Sequence, residues 1–214
     1  MSKTQTLATR ARQPSVKAMT REQLLAIFRQ TKALQRGHFE LASGLHSGHY
    51  FQCAQVLQYP KQAARIAKEL ARRFRGSKPT VVVGPAAGGI IVAFETARQL
   101  GVRTVYTERV DAEMQLRRGF AVTKKDRVLI VEDAITTGES ARKVASLIES
   151  FGAKVVGIGT IVDRSIGKKT LFPGRRFARL FALAFETFAP HECPLCSEQI
   201  PVTRPGRIPR KTIL

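Results

Sequence analysis

The sequence predicts an α/β protein whose core is a parallel, mostly buried sheet flanked by helices. Three runs of apolar β-formers, Thr80–Val83, Val128–Val131 and Lys154–Val162, lack the polar alternation of a half-exposed strand. Helical patterns separate these runs, so strands and helices alternate through the middle of the chain as they do in βαβ units. The first two runs are each followed by a loop of small residues that leads directly into a helix.

The N-terminal part of the domain predicts one helix followed by short strands and turns. Thr20-Arg-Glu-Gln23 matches a capping box, and apolar residues from Leu24 to Leu34 share one helical face. We expect Gly37 to end this helix, and residues 39–53 to form short strands. Further elements complete the order: a helix from Pro60 to about Phe74, a helix ending at Leu100, a strand at Val102–Thr107, a helix at Ser140–Phe151 and a last apolar run at 178–185.

Composition limits the classes of protein to which the chain can belong. No stretch approaches the ~20 apolar residues of a membrane span, and three cysteines without framework spacing favour the reducing cytoplasm. The net charge of +20 would attract anionic substrates and leaves nucleic acid open as a partner, although no nucleic-acid motif supports it. We expect a single domain at 20–206, with a disordered basic tail at 1–19 and a second basic tail at 207–214.

The most informative segment is residues 128–140, where a buried strand ends in two acids and a hydroxyl-rich loop. Glu132 and Asp133 lie at the carboxyl end of the strand, which is where open α/β sheets bind ligands. Residues 134–140 then supply hydroxyls and unhindered backbone N–H groups at the start of a helix, a typical phosphate site. Two carboxylates before a phosphate loop predict a sugar phosphate, with the acids accepting hydrogen bonds from ribose hydroxyls.

A second loop, Gly84-Pro-Ala-Ala-Gly-Gly89, also joins a buried strand to a helix. Its glycines would allow backbone N–H groups to approach a diphosphate. Because the carboxyl ends of parallel strands share one edge of a sheet, we expect this loop to bind pyrophosphate beside the loop at residues 132–140.

Two other segments leave alternatives open. Glu108–Arg118 carries both charges, and it is either a solvated hairpin or a mobile lid that brings arginines to a departing pyrophosphate. Arg164 follows the strand at Lys154–Val162, where it is either a surface residue or the partner of a carboxylate on a bound base.

The cysteines and histidines give only weak indications of a metal. Cys193 and Cys196 have the spacing of a zinc knuckle, but a structural zinc site needs four ligands. Cys53, His191 and Glu192 are the only conceivable further ligands, so no metal site is predicted. His38, His46 and His49 are expected to be ordinary polar surface residues.

From about residue 20 to residue 206 the chain resembles orotate phosphoribosyltransferases of the type I phosphoribosyltransferase class, and its C-terminal Cys-Pro-Leu-Cys is similar to the ending of a long bacterial branch. The 132–140 loop resembles the signature that binds phosphoribosyl pyrophosphate (PRPP) in this class. The matching stretches are Phe39–Ser47, Gly84–Ile90, Glu108-Arg109 with Leu116–Phe120, the 132–140 loop and Val162–Arg164.

The resemblance implies a type I phosphoribosyltransferase fold, with a five-stranded parallel core at about 60–185 and a small hood formed by residues 20–59 and the C-terminal segment. It also implies a homodimer that transfers the phosphoribosyl group from Mg²⁺-PRPP to orotate. The PRPP-binding residues would be Ala87, Gly88, Glu132, Asp133, Ala134, Ile135, Thr136, Thr137, Gly138, Glu139 and Ser140. Thr136, Arg164, Tyr50 and Phe51 would bind orotate, and Arg109, Arg117 and Asp133 would be catalytic. Mg²⁺ would be held mainly by PRPP, with no metal ligands from the protein.

Two other functions stay open at this point. A purine-using phosphoribosyltransferase shares the 132–140 loop, although the hood and Asp163-Arg164 favour orotate. A PRPP-sensing, RNA-binding regulator would account for the net charge of +20.

Overall fold

The computed structural model describes residues 18–165 and 171–205. Its helices and strands, in chain order, are α1 (Arg21–Gln30), β1 (Leu34–Glu40), β2 (His46–Phe51), α2 (Ala54–Leu57), α3 (Pro60–Phe74), β3 (Val81–Pro85), α4 (Gly88–Leu100), β4 (Arg103–Val110), β5 (Glu113–Leu116), β6 (Arg127–Ile135), α5 (Glu139–Ser150), β7 (Lys154–Asp163), β8 (Phe177–Ala182) and α6 (Pro194–Ser197). Apart from residues 18 and 19, the predicted tail at 1–19 lies outside the described residues, as does the tail at 207–214.

The central sheet has six strands in the order β5-β4-β3-β6-β7-β8. Five of them, β4, β3, β6, β7 and β8, run parallel, and β5 pairs antiparallel with β4 at one edge. The predicted α/β class and the five-stranded parallel core are therefore confirmed, with one antiparallel strand added. The sequence order of neighbouring strands changes direction between β3 and β6, and ligands bind at such switch points in parallel sheets.

Both faces of the central strands are buried, which explains why their sequences show no polar alternation. Val82, Leu129 and Val131 pack in the cluster that includes α3 and α4, whereas Val81 and Ile130 pack in the cluster beneath α5. All five side chains are fully inaccessible. Burying such an aliphatic side chain stabilises the fold by about 1.5–3 kcal/mol, so these strands form a rigid base for the loops at their ends.

A separate two-stranded sheet, β1–β2, packs beside this core together with the C-terminal segment. His46 exchanges two backbone hydrogen bonds with Phe188, at 2.8 and 2.9 Å. On the neighbouring strand the Thr203 N–H donates to the His38 carbonyl and the Glu40 N–H donates to the Thr203 carbonyl. Residues close to the two ends of the domain therefore form one continuous hydrogen-bonded structure.

The predicted first helix is too long. The capping box at Thr20 and Gln23 is present, but α1 ends at Gln30, and β1 begins at Leu34, so Gly37 lies inside a strand. The Thr31 hydroxyl donates back to the Ile27 carbonyl at 2.8 Å, and Lys32 adopts a positive φ of 55°, which takes the chain out of the helix. Among the described residues, no helix combines the length and apolar character that crossing a membrane requires.

Candidate active site

Two carboxylates lie at the carboxyl end of β6, next to the switch point of the sheet. The Glu132 side chain is 7% exposed, and its Oε1 atom has no hydrogen-bond partner among the residues the structure describes. Asp133 is half-buried. A buried carboxylate oxygen without a donor is costly, so Glu132 is prepared to accept a hydrogen bond from a bound molecule.

Burial also changes the protonation of this pair. Loss of water around Glu132 raises its pKa to about 7, and the neighbouring charge of Asp133 adds to the effect. Burial raises the pKa of Asp133 as well, but the N–H groups of Ala134 and of Asp133 itself favour its ionised form and offset part of that rise. Perturbed carboxylates in such a position are typical of functional sites.

The glycine-rich loop after β3 meets this acidic pair directly. A Cβ atom at Gly88 would lie 2.5 Å from Asp133 Oδ2, so the backbone at the start of α4 touches the carboxylate. A Cβ atom at Gly84 would lie 2.3 Å from the Gly89 carbonyl oxygen, which shows how tightly the loop turns. The Ala86–Ala87 peptide bond within it is cis. The two loops that the sequence singled out therefore lie side by side.

The loop between β6 and α5 presents free backbone donors. The N–H groups of Thr136, Thr137 and Gly138 donate no hydrogen bond within the described part of the chain, and both threonines are exposed. Gly138 caps α5 with a φ of 73°, and a Cβ atom there would lie 2.9 Å from the Phe172 ring. Only glycine fits this left-handed and crowded position. Free N–H donors at a helix N-terminus are an arrangement that suits an anion.

Glu139 is an acid inside this loop, and its side chain leans along α5. Its carboxylate lies 3.4 Å from Lys143 Nζ, one helical turn farther on. Its backbone N–H donates to the Thr137 hydroxyl at 3.3 Å. The carboxylate is thus paired with Lys143, which also lies 3.7 Å from Glu113.

Residues Glu108–Arg118 form a regular hairpin made of the end of β4 and the whole of β5. Arg109 pairs with Met114 in its register, and Met114 is only 6% exposed and packs in the core cluster beneath α5. Glu108 forms ion pairs with Arg118 at 2.8 Å and with Arg117 at 3.7 Å. Arg109 is exposed and has no ion-pair partner among the described residues. This segment is therefore a hairpin, as the first of the two alternatives stated. Its function as a lid stays a prediction.

Arg164 follows β7 at the same edge of the sheet as the acidic pair. Its backbone N–H donates to the Ile135 carbonyl at 2.8 Å. The preceding residue, Asp163, has a buried carboxylate that accepts hydrogen bonds from Ser165 and from Arg179 Nη1, the latter at 2.6 Å. Asp163 is therefore a structural anchor that fixes the backbone carrying Arg164. Neither Ser165 nor Arg179 could be recognised from the sequence, because both lie outside the stretches that carry the family resemblance.

The two aromatic residues predicted to line a base pocket have different surroundings. Tyr50 is half-buried and lies against Phe39, with 5.6 Å between ring centroids. Phe51 is 5% exposed and packs edge-to-face on Phe28 in the hydrophobic core, so its assignment to the pocket is wrong. Side chains alternate along a strand, and only one of two consecutive residues can face a ligand. The Cys53 thiol, which the sequence did not connect with this site, lies 3.8 Å from the Asp133 carbonyl oxygen.

The histidines and cysteines also differ from expectation. His38 and His46 are 3% and 7% exposed, so they are not surface residues. They lie together with Cys193 and Cys196, whereas the supplements considered from the sequence, Cys53, His191 and Glu192, are absent from this group. The pairing of β1–β2 with the C-terminal segment brings these four side chains together across about 150 residues of sequence.

Comparison with known proteins agrees with this geometry. The family described as the phosphoribosyl transferase domain matches residues 52–171. The orotate phosphoribosyltransferase of Caldanaerobacter subterraneus subsp. tengcongensis is 48% identical over 188 residues, which cover 88% of this chain and 98% of that protein. The orotate phosphoribosyltransferase of Chlorobaculum parvum is 47% identical, with 88% and 96% covered.

Solved structures show the same fold. The crystal structure of orotate phosphoribosyltransferase from Aeropyrum pernix has a TM-score of 0.63 at 25% identity, covering 75% of this chain and 93% of that one. An adenine phosphoribosyltransferase from Thermoanaerobacter pseudethanolicus has a TM-score of 0.56 at 23% identity, covering 63% and 88%, so the fold alone does not distinguish the base. The sequence relationship does: at 48% identity over 88% of its length, the chain belongs to the orotate phosphoribosyltransferase family.

Proposed function

We propose that this protein transfers the 5-phosphoribosyl group of PRPP to orotate, giving orotidine 5′-monophosphate and pyrophosphate in the synthesis of UMP. The observation that carries the proposal is the contact between Gly88 and Asp133. It puts a glycine-rich helix N-terminus, an acidic strand end and a second helix N-terminus in one row. This row suits a ligand with a diphosphate at one end, a ribose in the middle and a phosphate at the other end.

The residues divide along that row. The loop with Ala87 and Gly88 takes the pyrophosphate, Glu132 and Asp133 accept hydrogen bonds from the ribose hydroxyls, and residues 134–140 bind the 5′-phosphate. Thr136 and Arg164 flank the base, and Tyr50 is the hood residue whose aromatic ring can stack on it. A planar guanidinium pairs well with the carboxylate that distinguishes orotate from uracil.

Mg²⁺ is the expected companion of PRPP, and the donor set is compatible with it. The two adjacent carboxylates, one of which has an unpartnered buried oxygen, can balance a cation that the substrate itself carries. When bound, Mg²⁺ would neutralise charge on the pyrophosphate leaving group.

The protein's own contribution is positioning and charge stabilisation. As the bond from C1 to pyrophosphate breaks, the ribose gains oxocarbenium character and orotate N1 attacks from the opposite face. The N1 proton of orotate is lost to solvent as the N1–C1 bond forms, and the electron pair of the broken C1–O bond leaves with pyrophosphate. Both substrates carry negative charge and have to be brought together. Holding them in line, and presenting fixed N–H donors and arginines to the departing charge, supplies the acceleration.

Two further features belong to the proposal. We propose that the protein is a homodimer in which the hairpin of one subunit delivers Arg109, or Arg117, to the pyrophosphate in the partner's site. We also place the protein in the cytoplasm, which the three unpaired cysteines support.

A panel of bases against PRPP tests the assignment. Purified protein with Mg²⁺ should release pyrophosphate with orotate, and should be much less active with uracil, adenine or hypoxanthine. Turnover of a purine without turnover of orotate would make the protein a purine phosphoribosyltransferase. Inactivity with every base, together with RNA binding that depends on PRPP, would support the regulator instead.

A further inference from the structure

Four side chains with metal-binding chemistry converge away from the PRPP site. His38 comes from β1, His46 from β2, and Cys193 and Cys196 from the C-terminal segment around α6. One ligand atom of each lies within 4.8 Å of those of the other three. Two imidazoles and two thiols are a common ligand set of structural zinc sites.

The distances between these atoms match a tetrahedron around one zinc ion. Zn–N and Zn–S bonds of about 2.05 and about 2.3 Å require N···S separations of about 3.5 Å. His38 Nε2 lies 3.5 Å from Cys193 Sγ and 3.7 Å from Cys196 Sγ, and His46 Nδ1 lies 3.3 Å from Cys196 Sγ. The two nitrogens are 2.8 Å apart and need to separate by only about 0.5 Å to reach the tetrahedral spacing.

A further contact orients one of the imidazoles. His38 Nδ1 lies 2.6 Å from the Ile200 carbonyl oxygen, to which it must donate its proton. Nε2 is then left with its lone pair directed at the other three side chains. Metal-binding histidines typically donate their second ring nitrogen to a carbonyl or carboxylate in this way, and the contact fixes the tautomer.

The backbone around the four residues is held in place as well. The turn from Cys193 to Cys196 is closed by the Cys196 N–H, which donates to the Cys193 carbonyl at 3.1 Å. His38, His46 and Cys193 are buried, and Cys196 is the most exposed of the four. The ligand positions are therefore set by the fold before any ion binds.

We propose that His38, His46, Cys193 and Cys196 bind one Zn²⁺ ion as a closed structural site. Four protein ligands leave no position for water or substrate, so the ion would have no part in the transfer reaction. It would join β1–β2 to the C-terminal segment and so stabilise the hood. Because binding requires thiolates and neutral imidazoles, the ion would also replace the His38–His46 hydrogen bond with two metal bonds.

Metal analysis of the full-length protein, purified without chelator, tests the proposal. We expect about one zinc per chain in the wild type and in His191→Ala, and a large loss in Cys196→Ser. His191 is the matched control, since it is an exposed histidine two residues before Cys193 and outside the group. Cys196 is the preferred ligand to replace because its exposure makes misfolding of the variant least probable.

Cobalt substitution gives a second readout that does not depend on any variant. Co²⁺ added to zinc-depleted wild type should give the intense visible bands of tetrahedral coordination together with thiolate-to-cobalt charge transfer. A purified protein without zinc that also gives no such bands would overturn the proposal, as would equal zinc in Cys196→Ser. A disulfide between Cys193 and Cys196 in the native protein would overturn it too, and the cluster would then be a redox pair. None of these readouts involves orotate, so the outcome is separate from that of the proposed activity.

Discussion

Gly88 and Asp133 are in direct contact, although one begins α4 and the other lies near the carboxyl end of β6. A Cβ atom at residue 88 would lie 2.5 to 2.6 Å from all three atoms of the Asp133 carboxyl group. Real Cβ atoms do not approach other heavy atoms so closely, so alanine at this position requires the carboxylate or the loop to move. The contact links the loop that we propose for pyrophosphate to the acids that we propose for the ribose, and displacement of either one disturbs the other.

Gly88→Ala should therefore lower activity far more than stability. We expect kcat/KM for PRPP to fall by about a hundredfold, because a misplacement of about 1 Å has costs of that order. Steady-state kinetics and thermal unfolding measure the two effects. Gly76→Ala is the matched control, since its Cβ atom would meet nothing within 4 Å. Equal losses in the two variants would show that the Gly88–Asp133 contact has no role in PRPP use.

Glu132 should make the free energy of unfolding fall as the pH rises, whereas an ion-paired acid makes it increase. Its pKa of about 7 in the folded protein is above the value in the unfolded chain. Ionisation therefore favours unfolding, and the penalty develops between about pH 4.5 and about pH 7. Glu132→Gln removes it, so the variant should exceed the wild type in unfolding free energy by about 3 kcal/mol at pH 8 and by little at pH 5.

Urea unfolding at the two pH values measures this difference. Glu139→Gln is the matched control because its carboxylate is exposed in the same loop. The affinity of the wild type for PRPP should rise with pH through about 7, since the ionised carboxylate is the better acceptor for ribose hydroxyls. A stability difference between Glu132→Gln and wild type that is the same at both pH values would contradict the argument.

Arg164→Ala should impair orotate use more than PRPP use, because we assign the guanidinium to the base. Loss of one hydrogen bond between charged groups costs about 1.5–3 kcal/mol, so the KM for orotate should rise by roughly ten- to a hundredfold. Initial rates with each substrate varied in turn measure this split. Arg65→Ala, on the exposed face of α3, controls for the loss of a positive charge. A rise in the KM for PRPP alone would reassign Arg164 to the phosphates.

Mixing two inactive variants tests whether the hairpin acts on the partner's site. If Arg109 acts in trans, Arg109→Ala and Asp133→Asn subunits should each be nearly inactive alone and should recover activity as heterodimers. Random mixing makes half the dimers mixed, each with one intact site, so recovery should approach about a quarter of the wild-type rate. Lys143 Nζ donates to the Ala112 carbonyl at 2.7 Å, which holds the hairpin turn against α5 of its own chain. If activity does not recover although subunit exchange is verified, Arg109 acts on the site of its own subunit.

The parts of the fold that follow from local pattern were predictable. Val128–Val131 identified β6 because residues buried on both faces must all be apolar, and the residues after it identified the acidic pair and the phosphate loop. The capping box could be predicted because its two partners, Thr20 and Gln23, lie only three residues apart in the sequence. Information of this kind is contained in a short stretch of sequence.

The errors arose where distant residues decide the structure. Phe51 resembles a pocket residue until Phe28, which itself packs against Phe181, is placed beside it. His38 and His46 resemble surface residues until the C-terminal segment covers them. The hairpin at 108–118 has no apolar period because its two strands, the end of β4 and β5, pair with each other at the edge of the sheet, where Met114 is buried and most of its neighbours are not. No local signal carries these relationships.

The pairing of β1–β2 with residues 188 and 203 has a consequence for the order in which the chain is made. A ribosome synthesises β1 and β2 first, but their hydrogen-bonding partners emerge only after nearly the whole domain has been translated. The α/β core can fold as soon as β8 has emerged, whereas β1 and β2 keep exposed backbone groups until the C-terminal segment follows. Nascent chains that end before residue 188 should therefore contain the folded α/β core and lack these bridges, so the hood is the last part of the domain to form.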